Sequence, residues 1–447
     1  MKVPSLVAVA LFLCPAAAPA DDTSPRLAAL EQSLKAGGDT TAFWREVAGI
    51  GTPLIETLPG RDHEVRVTFL WQAENPGDEV NVSVVGPFNE DHAPATRRLT
   101  PLVGSDVRYR SYTVDRDARF TYSLAWPAGR VSHPDAIRRH SWDGLSHELF
   151  ADPRCRKSIV SVFFDENAAY SLFEGPNAPP EPWLEARDGV PKGRVRRQTY
   201  RSAILGNTRD VDVYLPPGYD ERGKGYPFVV LFDGNSYLRS AALPTQLDNL
   251  IADGAIPPLV AFLVGRIDRE HRNRELPPNP EFARFVAEEL MPALRREYRL
   301  SAAPAQAVIG GASYGALAAT AIAQRYPQVF GSVLSQSGSF WWHPGFVLPE
   351  DDAFRQQVGW LPRTFASGPR LPLRFYVEVG KAEGANMVLP NRFFRDVLTA
   401  RGYGVVYREF GGGHEYVSWR DGLARGLIAL LGPGRRQPRP GGDLERR

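Results

Sequence analysis

Residues Gly311-Ala312-Ser313-Tyr314-Gly315 fall between an apolar run, Ala307-Val308-Ile309-Gly310, and an alanine-rich stretch from Ala316 to Tyr326. An apolar run of that kind predicts a buried strand, and the alanine-rich stretch predicts a helix. The join between them must therefore be a sharp strand-to-helix turn. The glycines two residues to either side of the serine leave room for a strained turn that lifts its hydroxyl above a sheet, as in a nucleophile elbow. The same five residues could also form a glycine-rich loop with a solvated serine. A base and an acid elsewhere in the chain decide between these readings.

At 447 residues the chain is long enough for two domains. Its ends differ in kind. Lys2, the apolar run from Val3 to Cys14 and the small residues Ala18-Pro19-Ala20 read as a secretory leader over 1–20, which implies export and a periplasmic location. Without Lys2 the 53 basic residues become 52 against 51 acidic ones, a net charge of +1, which argues against a general nucleic-acid binder. One cysteine, Cys155, would remain, so no internal disulfide and no zinc site built on cysteine pairs is expected. No cofactor motif, phosphate loop or membrane-spanning run is present, and no metal site is expected.

Residues 21–60 read as a helical lead-in, with Trp44 and Val47 on its apolar side. Over 61–165 the period changes to two, as in Val65-Val67-Phe69 and Phe120-Tyr122-Leu124, with turn residues such as Asn75-Pro76-Gly77-Asp78 between runs. This predicts an immunoglobulin-like antiparallel β-sandwich. A linker is expected over 166–195, centred on the proline-rich Asn177-Ala178-Pro179-Pro180-Glu181-Pro182. From 196 to 433 strands and helices alternate. Phe228–Phe232 and Leu259–Val264 read as buried parallel strands, Phe282–Tyr298 as an amphipathic helix and Phe375–Val379 and Val405–Tyr407 as later strands, before a last helix from about Trp419 to Leu431. The fold class predicted is α/β, an α/β-hydrolase domain preceded by the sandwich. Residues 434–447 read as a disordered tail.

A serine hydroxyl needs a base to become a nucleophile. Of eight histidines, His343 and His414 lie beyond residue 300. His414, in Gly411-Gly412-Gly413-His414-Glu415, follows the last strand and precedes the last helix, where this fold places its base. The acid is expected after the Phe375–Val379 strand. Glu383 is preferred to Glu378, because a loop beyond the strand reaches further than a side chain fixed to the pleat. Backbone N–H groups of Tyr314 and Asn235 are the candidate oxyanion hole.

Longer motifs sharpen this. Ile267-Asp268-Arg269-Glu270-His271-Arg272-Asn273-Arg274-Glu275-Leu276, Leu231-Phe232-Asp233-Gly234, Leu334-Ser335-Gln336-Ser337-Gly338-Ser339-Phe340-Trp341-Trp342 and Gly413-His414 with Trp419-Arg420 resemble segments of the bacterial enterochelin (enterobactin) esterases. The resemblance runs from about Val65 to Leu431. It implies a serine esterase that opens the trilactone ring of a catecholate siderophore, with Ser313 as nucleophile, His414 as base and a glutamate near Glu383, iron entering only as part of the substrate. Such a complex is strongly anionic, so Arg272 and Arg269 are candidate binding residues, with Trp341 and Trp342 as walls. Ion pairs of those arginines with Glu270 or Glu275, and packing of the tryptophans beneath a loop, are the structural alternatives. A feruloyl- or acetyl-type carbohydrate esterase, or a non-catalytic siderophore-binding protein, are the competing functions.

Overall fold

The computed structural model describes residues 24–76, 81–89, 94–127, 138–142, 145–163, 166–346 and 359–433. The expected leader, 1–20, and the expected tail, 434–447, lie outside the described residues.

The lead-in forms two helices, Pro25–Lys35 and Thr41–Ile50. The first starts cleanly because Ser24 accepts the N–H of Leu27 at 3.3 Å and Pro25 needs no donor in the first turn. Their apolar sides, with Leu27, Phe43, Trp44 and Val47, cover Leu70 and Val107. That explains why the Glu64–Gln72 strand is buried on both faces: Val65, Val67 and Phe69 turn the other way, into the sandwich core with Phe120, Tyr122 and Phe173.

The sandwich consists of two antiparallel sheets. One orders the strands Leu54–Thr57, Glu64–Gln72, Val107–Asp115 and Thr100–Pro101. The other orders Arg138–Trp142, Leu145–Phe150, Arg119–Pro127, Glu166–Glu174 and Ser158–Phe163, with Ser83–Val85 also paired to Arg119–Pro127. Glu166–Glu174 therefore does not belong to a linker, contrary to the expectation from sequence. It pairs with Arg119–Pro127 on one side and Ser158–Phe163 on the other, and its Phe173 is a core residue.

The second domain is built on an eight-stranded sheet ordered Arg194–Arg201, Thr208–Leu215, Val260–Val264, Phe228–Phe232, Ala307–Ala312, Ser332–Gln336, Arg374–Gly380 and Gly404–Phe410. The first two strands pair antiparallel, and the second runs antiparallel to Val260–Val264; from there on every pairing is parallel. Strands buried on both faces need apolar residues at every position. Phe228, Val230 and Phe232 enter one core and Val229 and Leu231 the other, each roofed by helices. The expected helix over Phe282–Tyr298 is interrupted: Pro280–Arg284 and Met291–Glu297 are regular, and Phe285–Leu290 is a wider π turn. Pro292 has no N–H to return to Glu288 and its ring crowds that carbonyl, so the turn before it widens. No helix among the described residues is long and apolar enough to cross a membrane.

Candidate active site

Ser313 joins the Ala307–Ala312 strand to the Tyr314–Arg325 helix at φ 58°, ψ −123°. A non-glycine residue held there is strained by about 1–3 kcal/mol and persists only when its surroundings fix it. Its N–H donates to Gln336 O at 2.9 Å, and its carbonyl accepts the N–H groups of Ala316 and Leu317 at 3.1 Å each. The two flanking glycines are not equivalent. A Cβ on Gly311 would sit 2.7 Å from the carbonyl carbon of Gly315, whereas one on Gly315 would meet Phe232 Cβ at 3.5 Å and Asp233 Oδ2 at 3.8 Å, both ordinary contacts. The elbow thus depends on Gly311.

Beyond the ends of the next three parallel strands lie the other polar groups. Ser313 Oγ is 3.2 Å from Ser339 Oγ, in the loop after Ser332–Gln336. In the same loop Ser337, buried and at φ 47°, accepts the indole N–H of Trp419 at 2.8 Å and donates to Glu383 Oε1. Glu383 Oε1 also accepts the N–H of Gly380 at 2.7 Å, and Oε2 lies 2.6 Å from His414 Nδ1. A carboxylate at Nδ1 holds the proton there and leaves Nε2 with its lone pair free to accept one. The side chain of Glu383 is fully buried while that of His414 is 30% exposed, so the imidazole is anchored from below and open above. Trp419 stands edge-on to it, ring centres 4.8 Å apart.

Glu378 has a different occupation. It is fully enclosed, accepts from Gln336 Nε2 at 2.6 Å and from the Tyr376 hydroxyl at 2.9 Å, and pairs with Arg408 at 3.5 Å. Burial pushes its pKa up to about 7, against the pull of Arg408, Gln336 and Tyr376. It braces the sheet beneath the elbow and does not touch the histidine. Of the two carboxylates weighed from sequence, the one in contact with His414 is Glu383.

Tyr314 opens its helix, and Asn235 lies in the first turn of Gly234–Arg239. Both amides belong to helix starts, whose N–H groups have no intrahelical partner. The strands that lead to them, Phe228–Phe232 and Ala307–Ala312, are direct neighbours, so the two turns sit side by side. The turn before Asn235 is fixed by Asp233 at φ 55°, buried, with Arg272 Nε and Nη2 donating to its carboxylate at 2.8–2.9 Å and Arg266 Nη1 at 3.7 Å. Arg272 was a candidate for substrate contact, with Glu270 or Glu275 as its alternative partner. Its guanidinium is instead spent on Asp233 and lies 5.8 Å from the centre of the Tyr314 ring, where it stiffens the two turns. Arg269 is exposed. Trp341 is half-buried, 5.8 Å from the ring of Tyr314, the residue after the serine, with its N–H 3.0 Å from Met387 Sδ. Trp342 faces Trp360 and packs on the core. An open apolar groove lined by Leu276, Phe282, Ala318, Ile322 and Trp360 lies on the far part of the same helix and includes none of Ser313, Glu383 or His414.

Ser337, Ser339 and Gln336 were not singled out from sequence as site residues. The signal was there in Gln336-Ser337-Gly338-Ser339, a polar cluster ending an apolar strand. Among the described residues no group of three or more histidine, cysteine or carboxylate side chains is arranged to hold a metal ion.

Comparison with known proteins agrees with this construction. A family model described as "Putative esterase" matches residues 202–430, and one described as "Enterochelin esterase, N-terminal" matches 66–184. The chain is 31% identical to the iron(III) enterobactin esterase of Dickeya dadantii over 436 residues, 92% of this chain and 97% of that one. It is 26% identical to the iron(III) salmochelin esterase of Escherichia coli O6:H1 over 413 residues, covering 91% and 98%. The crystal structure of the enterobactin esterase from Shigella flexneri in the presence of enterobactin superposes with a TM-score of 0.68 at 27% identity, covering 87% of this chain and 97% of that one.

Proposed function

Since the chain belongs to the enterochelin (enterobactin) esterase family, we propose that it hydrolyses the trilactone esters of a ferric catecholate siderophore of the enterobactin type, using Ser313, His414 and Glu383. The observation that carries this reading is the gathering at one end of one sheet of Ser313, which meets Ser339, and of the His414–Glu383 pair, which meets Ser337 of the same loop.

In this mechanism Ser313 Oγ attacks a ring ester carbonyl while His414 Nε2 takes the hydroxyl proton. Glu383 keeps Nδ1 protonated and stabilises the imidazolium. The N–H groups of Tyr314 and Asn235 meet the negative charge that develops on the carbonyl oxygen. Collapse breaks the ester C–O bond, and the imidazolium returns its proton to the departing ring alcohol. Water then attacks the acyl-serine, losing a proton to His414; collapse breaks the bond from the carbonyl carbon to Ser313 Oγ, the imidazolium returns its proton to that oxygen, and the product leaves as a carboxylic acid. Trp341, packed beside Tyr314, offers a flat apolar face suited to a catechol ring. Iron is cargo in this scheme and takes no part in the bond changes. The leader at 1–20 supports export to the periplasm as the place of action.

Mass spectrometry of products from iron-loaded and iron-free enterobactin tests the substrate. The expected products are linear chains that have gained one water per ester cut. Saturable cleavage of methyl ferulate with enterobactin left intact would assign the carbohydrate-esterase function instead.

A further inference from the structure

The glycines before His414 suggest a flexible loop, yet they pack tightly against the other domain. A Cβ on Gly411 would lie 2.4 Å from Asp117 Oδ1 and 2.9 Å from Ala118 Cα. One on Gly412 would lie 2.6 Å from Ser418 Oγ of its own domain and 3.0 Å from Arg119 O, and one on Gly413 only 2.4 Å from Pro87 Cβ. Glycine serves here for close approach, and the surface approached is the sandwich.

Hydrogen bonds fasten the same contact. Arg119 N–H donates to Gly411 O at 2.9 Å, and Ser418 Oγ donates to Arg119 O at 3.1 Å while accepting from Gly413 N–H at 3.2 Å. Next to the histidine, Glu415 accepts the N–H of Thr121 on Oε1 at 2.6 Å and the Thr121 hydroxyl on Oε2. The loop of the acid is held by the same hairpin. Lys381, two residues before Glu383, pairs with Asp115 at 2.9 Å and Asp117 at 3.5 Å. The two loops are also joined to each other, Lys381 N–H to Phe410 O at 2.9 Å and Ala382 N–H to Gly412 O at 3.1 Å.

We propose that the sandwich domain is part of the catalytic machinery: its hairpin at 115–121 clamps the two loops that carry Glu383 and His414, and Glu415 is the positioning residue that locks the histidine loop to Thr121. This rests on the serine-esterase reading of the site and adds to it. A domain that only gathered substrate would change KM for a large siderophore and leave the chemistry on a small ester alone. A clamp acts on the orientation of the imidazole, which a shift of an ångström can spoil by about a hundredfold.

The test is steady-state hydrolysis of p-nitrophenyl acetate, too small to bridge the domains, by the full chain and its Glu415→Ala, Glu415→Gln, Thr121→Val and Ser313→Ala variants. Glu415→Ala is expected to lower kcat by about 10- to 100-fold with little change in KM. Glu415→Gln, whose amide oxygen can still accept the Thr121 N–H, should recover part of that loss. Thr121→Val, which removes one of the two bonds, should lower kcat a few-fold and keeps the test open if Glu415→Ala does not fold. Wild-type kcat in folded Glu415→Ala, or in Thr121→Val where the former is insoluble, overturns the clamp. Equal losses in the Ala and Gln variants would overturn the role given to the Thr121–Glu415 bond. Activity retained by Ser313→Ala would instead overturn the serine-esterase reading itself, so the two failures are distinct.

Discussion

Two glycine-flanked segments carry the two proposed reacting groups, and they use glycine for different reasons. Around Ser313 the constraint is internal: Gly311 lets the strand end pass against Gly315 within one turn. Around His414 most of the constraint comes from another domain: Gly411 faces Asp117 and Ala118, Gly413 faces Pro87, and Gly412 is wedged between Ser418 of its own domain and Arg119. Each segment also leans on a carboxyl, fully buried in one case and half-buried in the other. Gln336, which accepts the N–H of Ser313, donates its side-chain N–H to Glu378, and Glu415 holds the histidine loop to Thr121. A local need is visible in a short motif. A need set by a distant strand is not.

That contrast can be broken by substitution. Gly311→Ala should have the largest effect, since its Cβ would meet backbone that cannot move without opening the elbow; loss of all measurable esterase activity is expected, checked by hydrolysis of p-nitrophenyl acetate alongside circular dichroism. Gly413→Ala presses on Pro87 across the domain boundary, and a drop of roughly tenfold in kcat with the elbow intact is expected, as for a displaced imidazole. Gly315→Ala should be close to neutral or gain up to about 1 kcal/mol in stability from better helix propensity. Equal damage from Gly311→Ala and Gly315→Ala would remove the distinction.

The buried carboxyls sharpen the comparison through pH. Burial pushes both Glu378 and Glu415 up to about 7, from an ordinary glutamate value of 4.5. Well below 4.5 both are protonated whether the chain is folded or not, and neither makes stability depend on pH. Between 4.5 and about 7 the folded chain keeps protons that the unfolded chain has lost, so stability falls as pH rises through that window. Glu378→Gln should flatten that fall: its melting temperature, relative to the parent, should rise steadily between pH 5 and 7.5. A constant difference across the range would show that Glu378 does not titrate there.

The parts of the fold that follow from local pattern were legible. Phe228–Phe232 is apolar at every position and forms the strand expected. Preference for a carboxylate beyond the strand selected Glu383, the one in contact with His414. The first strand of the eight-stranded sheet is hard to read from sequence because Arg194–Arg201 is an exposed edge rich in arginine, with no apolar run to betray it. Glu166–Glu174 was hidden by the proline-rich segment just after it, and the partner of Arg272 by sequence distance: Asp233 precedes it by 39 residues, while Glu270 and Glu275 are nearby decoys. Glu415 and Thr121 are 294 residues apart, and nothing in either segment announces the other.

The central claim is that Ser313 is an alcohol made nucleophilic by His414. A fluorophosphonate reagent followed by peptide mass spectrometry addresses it directly. One adduct on the peptide containing Ser313, absent in Ser313→Ala and strongly slowed in His414→Ala, is the result expected, together with loss of enterobactin hydrolysis by several orders of magnitude in both variants. An adduct on another serine, or hydrolysis that survives Ser313→Ala, would contradict it.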